Sequence, residues 1–121
     1  PKQWWFPWRL VLFNHPATFV KRSVYEEYGM FSLDYRIAMD IDIFLRWMKS
    51  GVNIVYLDEP IVAMSYGGVS DTQPFAGYRE SRQAFVANGF PRIWVNILYF
   101  NKLFLHCVGR FQAFLLVCLR K

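Results

Sequence analysis

From Ile93 to Leu119 the chain carries only two charges, Lys102 and Arg110, in a run otherwise dominated by Ile, Leu, Phe, Val and Trp. A segment of this kind has few ways to satisfy itself in water, so it restricts the fold more than any other stretch. Pro91 suits the first turn of a long helix there. At about 100° per residue, Arg92, Asn96, Tyr99, Lys102, His106, Arg110, Arg120 and Lys121 gather within roughly one third of the wheel. Apart from Asn101 and Gln112, the remaining positions are almost all apolar. No uncharged apolar run reaches the ~18 residues expected of a spanning helix. The pattern therefore suits an amphipathic helix lying in a membrane interface, its basic stripe toward the headgroups, or one packed on protein.

Charge is divided in the same way. The nine acidic residues all lie at or before Glu80, whereas Arg82, Arg92, Lys102, Arg110, Arg120 and Lys121 follow it, within a net charge of +5. A basic, aromatic second half fits an anionic membrane surface. Nucleic acid fits less well, because the cations form a sparse stripe without a recognition motif. Cys107 and Cys118, eleven residues apart on one helix, would lie ~16 Å apart, too far to bridge. A reducing compartment is consistent with that. The opening Pro-Lys-Gln-Trp-Trp has no apolar signal region behind it, and the missing initiator Met reads as a piece of a longer chain.

Upstream, the elements are short. Arg9 to Phe13 is a strand candidate broken by Asn14-His15-Pro16. Ala17 to Lys21 reads as extended. Ser23 with Glu26 makes a capping box for a helix closed by Tyr28-Gly29. A connector over 30–36 leads to a central helix from about Asp40 to Ser50, with Ile43, Phe44, Trp47 and Met48 at helical spacing and Gly51 as its stop. Asn53 to Leu57 and Ile61 to Tyr66 alternate as two strands around Asp58-Glu59-Pro60. Gly67 to Asp71 is a flexible loop, and a polar helix runs from about Pro74 to Asn88.

Ala38-Met39-Asp40-Ile41-Asp42 places two carboxylates at the front of the central helix, where the helix dipole favours their ionised form. An ionised carboxylate on a rigid helix start meets the first requirement of a general base. The plainer reading is a pair of helix-opening acids, with Asp42 and Arg46 as an i,i+4 pair. His15, at a strand end, reads either as a ligand to metal or donor phosphate or as a hydrogen-bonded structural residue. Lys21 and Arg22 fit a phosphate or a solvated helix start. Gly67 and Gly68 read as an acceptor loop or an ordinary turn.

Four motifs carry a resemblance: His-Pro-Ala-Thr-Phe-Val-Lys-Arg (15–22), Tyr28-Gly29-Met30-Phe31, Met39-Asp40-Ile41-Asp42 with Leu45-Arg46, and Tyr66-Gly67-Gly68-Val69-Ser70. In this order they resemble the second half of the catalytic domain of family 2 glycosyltransferases of the GT-A type, over about half the chain. The resemblance implies an α/β fold with a mixed sheet. On this division, residues 1–73 form the acceptor-side half of a GT-A domain, and 74–121 a helical, basic amphipathic tail.

It further implies inverting transfer of a sugar from a nucleotide-sugar donor to a glycan or lipid-linked acceptor, as in bacterial surface polysaccharide biosynthesis. Asp40 occupies the position of the family's base. His15, Asp42, Arg46, Gly67 and Gly68 would support the site. A divalent metal, Mn or Mg, would be held mainly outside this chain, with His15 a candidate ligand. Met39 stands where many members have Glu, and nothing in residues 1–14 matches the nucleotide-binding half. The expected setting is cytoplasmic, peripheral on the inner face of the cell membrane, with a homo-oligomer left open. The alternative is a non-catalytic membrane-surface or partner-binding module that uses the tail.

Overall fold

The computed structural model describes residues 15–65 and 67–118. A 3-10 turn at His15–Ala17 leads into α1 (Arg22–Tyr28), α2 (Met39–Lys49), α3 (Val69–Thr72), α4 (Pro74–Ala87) and α5 (Arg92–Cys118). The middle element is α4, which packs along α5 and also against α2. A small core forms where the three meet: Leu45 of α2, Phe85 of α4 and Val95 of α5, bordered by Ile41, Val86 and Phe90. Burial of such side chains contributes about 1.5–3 kcal/mol each.

Two of these helices end in the same way. Gly51 after α2 has φ +78°, and Gly89 after α4 has φ +83°. At the first end, the N–H groups of Gly51 and Val52 donate to Met48 O (3.2 Å) and Trp47 O (3.1 Å). At the second, those of Gly89 and Phe90 donate to Val86 O (3.0 Å) and Phe85 O (3.1 Å). Both are Schellman closures, in which a residue in the left-handed region lets the last turn satisfy its carbonyls. The Phe85 and Phe90 rings meet edge-on at 5.1 Å, the apolar contact that accompanies the motif. The expected stops at Gly51 and Asn88-Gly89 are therefore where the helices end, and α5 starts directly after Pro91 as its sequence predicts.

The expected α/β architecture is not what forms. Every regular element among the described residues is helical, with no strand and no sheet. Asn53 to Ser65 runs without regular structure, with Val55 77%, Tyr56 70% and Leu57 67% exposed. Alternating β-branched and aromatic residues give a segment the profile of a half-buried strand. A strand exists, however, only when a neighbour takes up its backbone N–H and C=O groups. No described segment lies beside this run in a ladder. Ala17 to Lys21 is likewise not a strand: it starts in the 3-10 turn and continues as irregular chain. The Arg9 to Phe13 strand candidate and Tyr66 lie outside the described residues.

Two local expectations also change. Helix α1 starts at Arg22 with Lys21 as its N-cap, and no side chain caps it. Ser23 is thus inside the first turn, and Glu26 pairs with Arg22 (2.8 Å) instead of closing a capping box. The Gly67–Asp71 loop is partly helical, since Val69–Thr72 forms one turn behind Gly68.

Candidate functional site

Both carboxylates of the central motif fall in the first turn of α2, but their surroundings differ. Asp40 is half-buried, and its Oδ1 accepts the Ile41 N–H at 2.8 Å. Its other oxygen takes no hydrogen bond among the described residues. Asp42 is buried at 5% exposure. Its Oδ2 accepts from Arg46 Nε at 3.0 Å and its Oδ1 from Asn88 Nδ2 at 3.0 Å. Asn88 Nδ2 also donates to Ala84 O (2.9 Å), and Lys49 Nζ donates to the Asn88 carbonyl (2.7 Å). A buried carboxylate keeps its place only when its lone pairs are met in this manner.

Arg46 extends that network to α1. Its Nη2 donates to Met30 O at 2.6 Å and its Nη1 to Tyr28 O at 3.4 Å. Gly29, at φ +90°, lies between those carbonyls, and a Cβ there would stand 3.2 Å from Arg46 Nη1. The glycine of the Tyr28-Gly29-Met30-Phe31 motif therefore serves both the backbone turn and the approach of the guanidinium. Asp42 and Arg46 are structural links between α1, α2 and α4.

The start of α2 is held by a residue the sequence reading did not single out. Glu80 Oε2, from the middle of α4, accepts the backbone N–H groups of Arg36 (3.0 Å), Ile37 (2.7 Å) and Ala38 (3.0 Å). Partial burial pushes the Glu80 carboxyl up. The three N–H groups, with Arg79 nearby, outweigh it, so its pKa lies below the ordinary value. Tyr35 sits beside the same group: burial, then the charges of Asp42, Asp34 and Glu80, raise its phenol. The signal for Glu80 was faint but present. It is the last acid in the chain and stands four residues before buried Ala84 and eight before buried Asn88, on the inward side of α4.

His15 is exposed and meets the Phe31 ring edge-on at 6.2 Å. Phe31 also contacts Tyr25 (6.0 Å), which meets Trp47 at 5.0 Å. Trp47 Nε1 is buried without a hydrogen-bond partner among the described residues. The Gly67 N–H donates to Asp71 Oδ2 at 2.8 Å, and Gly68 precedes α3, so the glycine pair acts locally as a turn. His15, Asp40 and the Gly67–Gly68 turn share no hydrogen bond, ion pair or ring contact among the described residues. Nor do three His, Cys, Asp or Glu side chains gather anywhere among them as a metal site would require. His15 is exposed and has no companion ligand among the described residues; the main ligands of the expected metal would lie outside this chain.

A second polar cluster joins α4 to α5. Arg82 Nε donates to Asn96 Oδ1 at 2.7 Å, and its guanidinium lies 5.9 Å from the Tyr99 ring centre. Lys102 Nζ stands 5.5 Å over the Tyr78 ring, and Tyr78 Oη shares a 3.4 Å hydrogen bond with His106 Nδ1. Burial lowers the Lys102 pKa. Tyr78, Ser81, Arg82, Val95, Tyr99 and Lys102 line a shallow recess here. Asn96, Tyr99, Lys102 and His106 of the polar stripe thus face α4, whereas Arg92 and Arg110 are exposed. Comparison with family models, curated proteins and solved structures gives no match for the chain.

Proposed function

We propose that the chain serves sugar transfer from a nucleotide-sugar donor to a glycan or lipid-linked acceptor, with Asp40 as the general base. The observation that carries this reading is the division of labour between two neighbouring carboxylates. Asp42 is committed to Arg46 and Asn88, whereas Asp40 keeps an oxygen without a partner among the described residues. It sits on a helix start clamped by Glu80, and a base must be held in place as well as ionised. The four motifs resembling family 2 glycosyltransferases support the assignment, since Asp40 occupies the base position in the third.

In this reaction Asp40 takes the proton of an acceptor hydroxyl as that oxygen attacks the anomeric carbon. The bond to the nucleoside diphosphate breaks, and the configuration inverts. Gly67 and Gly68 would form part of the acceptor loop. No step is assigned to a metal, because His15 has no companion ligands among the described residues. The setting proposed is the cytoplasmic face of a cell membrane, where lipid-linked acceptors are presented. No described helix is long and apolar enough to cross one.

The test is nucleotide-sugar turnover by the complete reading frame that contains this chain, wild type beside Asp40→Asn. A loss of about 10²–10⁴-fold in kcat, with donor binding retained, is expected on removing a general base. An unchanged rate in the variant would make Asp40 a helix-opening acid and no more.

A further inference from the structure

The side of α5 turned away from α4 is apolar and bare. Ile93, Ile97, Phe100, Phe104 and Phe111 fall within about 60° of one another on the helical wheel, along ~27 Å of axis. Their exposures run from 48% at Ile97 to 74% at Ile93, with Trp94 and Leu105 exposed beside them. Single exposed apolar residues are ordinary, but a continuous stripe of this length marks a surface that meets something.

The chemistry around the stripe selects the occupant. Arg92 and Arg110 are exposed and stand on the same flank, each about 100° from the centre of the stripe. No acidic residue follows Glu80, so nothing on α5 offsets them. Lys102 and His106, the polar groups that would resist contact with lipid, are turned into the contacts with Tyr78 on α4. The α5 of a second copy would bring another pair of arginines and no acid to meet them, which disfavours pairing of α5 with α5. An anionic lipid surface supplies both an apolar layer for the stripe and phosphates for the arginines.

We propose that α5 docks in the plane of an anionic bilayer. Ile93, Ile97, Phe100, Phe104 and Phe111 enter the boundary between headgroups and acyl chains, and Arg92 and Arg110 pair with lipid phosphate. The docked helix keeps α4 on its water-facing side, so the polar contacts between the two helices survive binding. This docking is carried by α5 alone and does not depend on sugar transfer. Its readout contains no catalytic step, so the two proposals fail separately.

The test is flotation of the intact chain with vesicles of phosphatidylcholine, alone or with about 30% phosphatidylglycerol, at low and high salt. Partitioning at least tenfold stronger into the anionic vesicles, and weakened by salt, is expected. The double variant Phe100→Ser/Phe104→Ser should partition about tenfold more weakly or worse, and Arg92→Gln or Arg110→Gln roughly fivefold each. Circular dichroism checks that the variants keep their helix content; the comparison of neutral with anionic lipid needs only the wild type. Wild type that floats with neither vesicle overturns the proposal, as does a double variant that floats equally well. So does a dimer in sedimentation that the double variant splits, which would assign the stripe to a second copy.

Discussion

The seam between α2 and α4 and the outer face of α5 treat their polar and apolar groups in opposite ways. Along the seam, a buried carboxylate, an amide, a guanidinium, an ammonium and a half-buried glutamate each find a named partner within the chain. Where α4 meets α5, the cations Arg82 and Lys102 are absorbed by aromatic rings and an amide, while large apolar side chains on the far face of α5 are left facing out. The seam is thus a device for register. Its directional bonds fix which turn of α4 meets which turn of α2, something a few apolar contacts alone specify weakly. The outer face has no directional requirement, and what it needs is a large apolar surface of any kind, which a bilayer offers.

This contrast yields graded expectations for stability in urea. Asp42→Ala removes the acceptor shared by Arg46 and Asn88 and leaves an amide donor short of a partner in the core. It should cost about 3 kcal/mol, toward the lower end for a buried pair because Arg46 is partly exposed. A loss under about 0.5 kcal/mol, the size of an ordinary surface change, would show that the seam is decorative.

Glu80→Ala should cost about 2 kcal/mol, since a charged acceptor leaves three backbone donors behind it, in a setting water partly reaches. The same residue sets a pH dependence. Its pKa is lowered on folding, so its contribution is present above the unfolded value and fades as pH falls through the folded one. Wild type should therefore lose more stability than Glu80→Gln between about pH 5 and pH 3. Parallel acid profiles for the two proteins would remove Glu80 from the clamp. At the small end, Phe104→Ser on the outer face should change stability by no more than about 0.5 kcal/mol in the absence of lipid. A cost of 2 kcal/mol would mean that this face is already covered within the chain.

The helices were legible to the extent that their signals are local. The apolar spacing of Ile43, Phe44, Trp47 and Met48, the glycines at 51 and 89, and Pro74 and Pro91 at helix starts concern residues a few positions apart. The ends predicted from them differ from the observed ones by about a residue. The failure at Asn53 to Ser65 has the opposite cause. Alternation there describes what a neighbouring strand would accept, and the neighbour is a property of the whole fold. At α1 the capping-box pair was present, but Arg22, one residue earlier, extended the helix and took Glu26 for itself.

The candidate site divides along the same line. The sequence was enough to place Asp40 and Asp42 together at a helix start, to put Arg46 one turn behind Asp42, and to set an amphipathic α5 after Pro91. Spacing of three or four residues determines all of these. Only the tertiary structure decided that Asp42 is sealed by Asn88 while Asp40 is not, because Asn88 arrives from 46 residues away. It also decided that Glu80 reaches back to the start of α2, and that Asn96, Tyr99, Lys102 and His106 of the α5 stripe turn toward α4 while Arg92 and Arg110 do not. A helical wheel shows that two faces differ, but not which one the rest of the chain will cover; that depends on which neighbour brings the matching aromatic rings and amides.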